Sequence, residues 1–80
     1  MNTDRQAAEA RRNAAYRAIE ELERAEVRAR RAAELDPSPE NVAAVEQARH
    51  ALRAGRLETD RAEIAYRRAV EAGGRVPAAS

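Results

Sequence analysis

The sequence predicts an all-α fold: two long helices in an antiparallel helical hairpin, coiled-coil-like with an alanine-rich seam, dimerising into a four-helix bundle. Three observations predict it. Neither proline nor glycine interrupts Asp4 to Leu35, and a single glycine, Gly55, interrupts Glu40 to Ala72. The two runs meet at Asp36-Pro37-Ser38, a segment that stops one helix and starts another. Small apolar residues recur in both runs with the three-four alternation of a coiled coil.

The first helix is expected over 4–35. Thr3 followed three residues later by Gln6 has the form of a capping box, in which hydroxyl and amide each satisfy an orphan backbone donor. Pro37 disfavours α geometry in Asp36, so the helix ends there. Over the turn at 36–38, Ser38 offers an N-cap hydroxyl, Pro39 suits the first helical position, and Glu40 places an acid in the positive first turn. The second helix is expected over 39–72, ended by Gly73-Gly74, with 73–80 a flexible tail. At ~1.5 Å per residue each helix is about 50 Å long, and the short link favours antiparallel packing within a single domain spanning 1–80.

The predicted seam in the first helix follows Ala8, Ala15, Ala18, Leu22, Ala25, Ala29 and Ala32, with Arg11 as its polar break. In the second it follows Val45, Ala48, Leu52, Gly55, Thr59, Ala62, Tyr66 and Ala69. Folding the chain at Pro37 sets Leu22 opposite Gly55, Ala25 opposite Leu52, and Ala15 opposite Ala62. Large then meets small, as interdigitated packing requires.

Composition limits what such a hairpin can do alone. A chain of 80 residues buries only about 60% of its unfolded surface. The 44% counted as hydrophobic is mostly alanine, which favours helix but buries little area. With no cysteine, neither disulfides nor thiolate zinc sites can staple the fold, and self-association is the staple left. At 100° per residue, Leu57 and Ile64 lie nearly opposite the second helix's stripe. Tyr16 and Val27 lie well off the first helix's stripe, with Ile19 on its flank. These five residues are the expected interface to a second copy or to another helical protein.

Catalysis is not expected. His50 is the single histidine, on an outer face, and Ser38 is engaged as a cap. Paired carboxylates such as Glu20-Glu21 sit among arginines with no pocket to shift their pKa. The inward Glu-x-x-His pairs of a di-metal bundle and the glycine-rich loop of a phosphate site are both absent. No cofactor, metal or small-molecule substrate is therefore expected.

A net charge of +1 argues against a broad nucleic-acid footprint. Still, Arg17, Arg24, Arg28 and Arg31 cluster along one side of the first helix, and arginine's fork suits phosphate. A small nucleic-acid-binding regulator using that stripe is the alternative expectation. Elsewhere, opposite charges at (i, i+4), such as Glu20–Arg24, Glu26–Arg30 and Glu63–Arg67, predict a solvated, ion-paired surface.

Arginine as the sole basic residue, with abundant alanine, fits the codon usage of a GC-rich bacterium, phage or plasmid. No apolar run approaches the ~18 residues of a membrane span, and the opening Met1-Asn2-Thr3-Asp4 lacks a signal peptide's apolar stretch. A cytoplasmic protein is expected.

In outline, the capped helix, tight acidic turn at Asp36, second helix and small seam residues resemble the ROP family of plasmid RNA-binding hairpin dimers. The resemblance is architectural, without shared motif residues, and implies a dimeric bundle. A partial similarity to tetratricopeptide repeats lies in the spacing of Ala62, Tyr66 and Ala69 and in Leu35-Asp36-Pro37. That repeat's Trp-x-x-Leu-Gly segment is missing, and neither long run divides into two short helices. The expected function is a non-catalytic protein–protein interaction or assembly module, a small adaptor or regulator.

Overall fold

The computed structural model of the protein describes residues 3–74. Helix α1 spans Thr3–Leu35 and helix α2 spans Pro39–Gly74, and the two pack against each other along their length as an antiparallel hairpin. The molecule is a rod with extents of 67 × 14 × 12 Å. Thr3 is the first described residue and is already helical, one position ahead of the expected start and not the cap expected of it. At the other end α2 continues through Gly73 and Gly74, two residues past the expected stop. The expected tail from Arg75 to Ser80 lies outside the described residues.

The turn is built from the residues the sequence assigned to it, with one addition. Asp36 N–H donates to Ala32 C=O at 2.9 Å, closing the last turn of α1. Ser38 N–H donates to Asp36 C=O at 2.8 Å, a three-residue turn centred on Pro37, whose fixed φ suits it. Ser38 Oγ then accepts from Asn41 N–H at 3.2 Å as the α2 N-cap. The addition is the Asn41 side chain, whose Nδ2 donates back to Asp36 C=O at 2.8 Å. One residue thus ties the start of α2 to the end of α1. The reversal needs no left-handed residue, and none occurs among the described residues.

The seam matches the expected register but is rotated about α1. Leu22 does meet Gly55: a Cβ built on Gly55 would lie 2.5 Å from Leu22 Cδ1. Ala15 and Ala62 are both buried, as are Val45 and Leu52. Yet Ala18 and Ala32, expected on the seam, are exposed, while Arg12, Ile19, Glu26 and Ala33 are half-buried. The stripe of α1 therefore runs Ala8, Arg12, Ala15, Ile19, Leu22, Glu26, Ala29, Ala33. Turning Ile19 inward in place of Ala18 removes more apolar surface from water, and it leaves Arg11 outside, where it can pair.

Polar residues on this seam are matched across it. Arg12 lies with its guanidinium carbon 3.8 Å above the Tyr66 ring, and its Nε is 3.8 Å from Glu63 Oε1. That Nε is buried with no hydrogen-bond partner among the described residues. Two heptads on, Glu26 sits 3.9 Å from Arg49 Nε and 3.3 Å from Arg30 Nη1. Sliding α2 one heptad in one direction would set Arg12 beside Arg56 and Glu26 beside Val42, losing both pairs. A slide in the other direction would strip Arg12 of its carboxylate and leave it beside Val70. The ions thereby specify register, a role for which polar seam positions are well suited.

Candidate interaction surface

Among the described residues only four apolar side chains are buried, namely Ala15, Val45, Leu52 and Ala62. The surface consequently carries several bulky apolar groups: Leu57 is 56% exposed, Ile64 48% and Tyr16 46%. The five residues expected to form one interface occupy three different aspects of the rod. Leu57 and Ile64 stand together on the outer ridge of α2, opposite the seam and two turns apart. Ile19 belongs to the seam, its Cδ1 3.3 Å from where a Gly55 Cβ would be. Tyr16 and Val27 lie on α1 along a line beside the seam, on the side away from that ridge.

Tyr16 is anchored rather than free. Its hydroxyl donates to Glu63 Oε1 at 2.5 Å, and that hydrogen bond, with partial burial, raises the phenol above its ordinary pKa. Glu63 is a hub, since Arg12 and Arg67 also approach it, Arg67 Nε at 3.9 Å. Across the opposite flank Arg11 forms a fork with Glu58: Nε donates to Oε2 at 2.8 Å and Nη2 to Oε1 at 2.9 Å. These bonds hold the Glu58 carboxyl below its ordinary pKa. The sequence reading placed Arg11 in the seam and so missed this link. The apolar weight of Ile19 over Ala18 was a signal that Arg11 faces outward, but it did not point to Glu58 as the partner.

The arginine stripe is partly neutralised. Arg24 is held by Glu21, 2.5 Å from Nη1, and by Glu20, 3.9 Å from Nη2. Arg17, Arg28 and Arg31 are exposed and make no ion pair among the described residues. Arg24, Arg28 and Arg31 border a shallow, open depression around Val27, with Glu20 and Glu23 on its rim. Of the expected (i, i+4) pairs, Glu20–Arg24, Glu26–Arg30 and Glu63–Arg67 form, at 3.9, 3.3 and 3.9 Å.

His50 is exposed on the outer ridge of α2. Among the described residues no three histidine, aspartate or glutamate side chains converge where a metal ion could sit. No described helix is long and apolar enough to cross a membrane. Comparison of the chain with known protein families, curated proteins and solved structures finds no match.

Proposed function

We propose that this chain is a non-catalytic assembly module, a helical hairpin that is completed by packing against a second copy of itself or another helical protein. The observation that carries this reading is the mismatch between core and surface. Among the described residues four small-to-medium side chains are buried, none larger than leucine, while Leu57 and Ile64 stand half-exposed as neighbours on one ridge. The rod's radius of gyration is 18.7 Å, whereas a compact domain of this length has about 12 Å. A fold so extended gains stability when a partner covers it, because apolar area leaving water is the main favourable term. An adaptor or regulator in a GC-rich bacterium, phage or plasmid is the biological setting that suits it.

Light scattering across a dilution series tests the proposal. A dimer or higher assembly in the micromolar range supports it; a fully helical monomer at high micromolar concentration refutes self-assembly. The second reading, a nucleic-acid-binding regulator, is favoured by Arg17, Arg28 and Arg31, which have no carboxylate within ion-pairing distance among the described residues. It predicts binding of labelled DNA or RNA that weakens steeply with salt. Absence of binding at low salt removes it.

A further inference from the structure

The outer ridge of α2 carries a charge pattern that names its own partner. His50, Leu57 and Ile64 form the crest at seven-residue spacing. Along one flank of that crest run Glu46, Arg53, Asp60 and Arg67, also at seven-residue spacing and alternating in sign. The other flank holds Gln47, Ala54, Arg61 and Arg68. Within the hairpin, Arg53 and Asp60 make no ion pair among the described residues. Glu46 and Arg67 have only local partners, Arg49 at 3.5 Å and the half-buried Glu63 at 3.9 Å.

A sequence of signs that alternates over four positions becomes its own complement when reversed. Two α2 helices facing each other antiparallel are related by a two-fold axis perpendicular to both, so each flank meets the same flank of the other copy. We infer that a second copy of this chain docks antiparallel on this ridge, with the axis at Leu57. In that register Glu46 faces Arg67 and Arg53 faces Asp60 of the second copy, and the symmetry repeats both pairs. Leu57 meets Leu57 of the second copy at the axis, and Ile64 covers His50 of the second copy on either side. On the other flank Ala54 lies beside Arg61 and Gln47 beside Arg68, so neither flank opposes like charges.

The alternatives are penalised. Parallel in-register pairing would bring each flank against the other one, setting Arg67 against Arg68 and leaving Glu46 beside Gln47 and Arg53 beside Ala54, with Asp60–Arg61 the single opposite pair. Sliding an antiparallel pair by one heptad in either direction would set Arg53 against an arginine and Asp60 against a carboxylate. Such like-charge juxtaposition is how helices reject wrong registers. The inference rests on the assembly reading above and adds to it the partner, its orientation and its register.

Because the chain has no cysteine, Leu57→Cys introduces a single thiol. Helices about 8–10 Å apart bring Cα atoms at the axis within the ~4.4–6.8 Å a disulfide needs. Under mild oxidation Leu57→Cys should form covalent dimers at least about tenfold faster than Ala18→Cys, whose thiol is exposed on α1. Arg53→Glu should weaken association by about tenfold, and Arg53→Glu with Asp60→Arg should restore it, because the reversed signs again pair across the axis. If the native chain is dimeric but Leu57→Cys crosslinks no faster than Ala18→Cys and the double variant is no tighter than Arg53→Glu, the docking geometry is wrong and assembly stands. A chain monomeric at high micromolar concentration overturns both.

Discussion

At Gly55 the two helices leave no room for a side chain unless Leu22 shifts. A Cβ there would press on Leu22 Cδ1 at 2.5 Å and approach Ile19 Cδ1 at 3.3 Å, both ends of flexible side chains. Gly55→Leu is therefore expected to destabilise the hairpin by ~1–3 kcal/mol through overpacking. Gly55→Ala should fall near neutral, since about 1 kcal/mol of helix propensity offsets the shift Leu22 must make. Thermal melts of the two variants against the wild type distinguish these outcomes; equal melting of Gly55→Leu would disprove the contact. Glu58 supplies a pH-dependent counterpart. Its pKa is depressed by Arg11, so its stabilisation is present above the ordinary glutamate pKa and is lost as pH falls through the lowered value. Glu58→Gln should melt below wild type at neutral pH, and the gap should close on acidification. The Leu22–Gly55 contact was legible in the sequence because a bulky residue and a gap fell opposite each other. The Arg11–Glu58 fork was not, because long side chains reach a full heptad off the facing position.

At the scale of the elements, the turn decides where α1 ends and α2 begins. Ser38 and Asn41 close it from two sides, one hydroxyl accepting and one amide donating. Ser38→Ala should cost about 1 kcal/mol, the ordinary worth of an N-cap. Asn41→Ala should cost ~0.5–1.5 kcal/mol, because Asp36 C=O loses a donor. Chemical denaturation with each variant gives the values, and an Asn41→Ala protein as stable as wild type would remove its role. The Ser38 cap was readable from Asp36-Pro37-Ser38-Pro39 alone. Asn41's role was not, since it depends on where the end of α1 comes to lie beside α2. The rotation of α1 has the same origin. Alternations that begin at Ala8 and proceed by three or by four share Ala15, Leu22 and Ala29, and differ only in their flanking positions. Ile19 and Arg12 settle that choice by burial and by stacking on Tyr66.

For the molecule as a whole, the exposed ridge of α2 is the place to test the proposed assembly. Leu57→Glu with Ile64→Glu alters side chains about half exposed in the hairpin, so helicity should be retained and hairpin stability should change by roughly 0.5 kcal/mol or less per site. Association should be abolished. Circular dichroism and light scattering read the two effects separately, and an unchanged oligomer would show that assembly uses another face. Tyr16 and Val27, on a different side of α1, should tolerate substitution without loss of association. A native chain that assembles should also melt at a temperature that rises with its concentration, because mass action couples folding to association.

The two helices, the reversal at Pro37 and the antiparallel register were determined by the sequence itself, since proline, caps and heptad spacing act locally and repeat. What the tertiary structure alone decided was which flank of α1 turns inward. That choice compares the burial of Ile19, the stacking of Arg12 on Tyr66 and the pairing of Arg11 with Glu58, contacts between residues more than thirty positions apart in the chain. Periodicity locates a helix stripe to within one residue. Only a facing helix resolves the rest, because the energies that separate the alternatives arise between the helices and not within either.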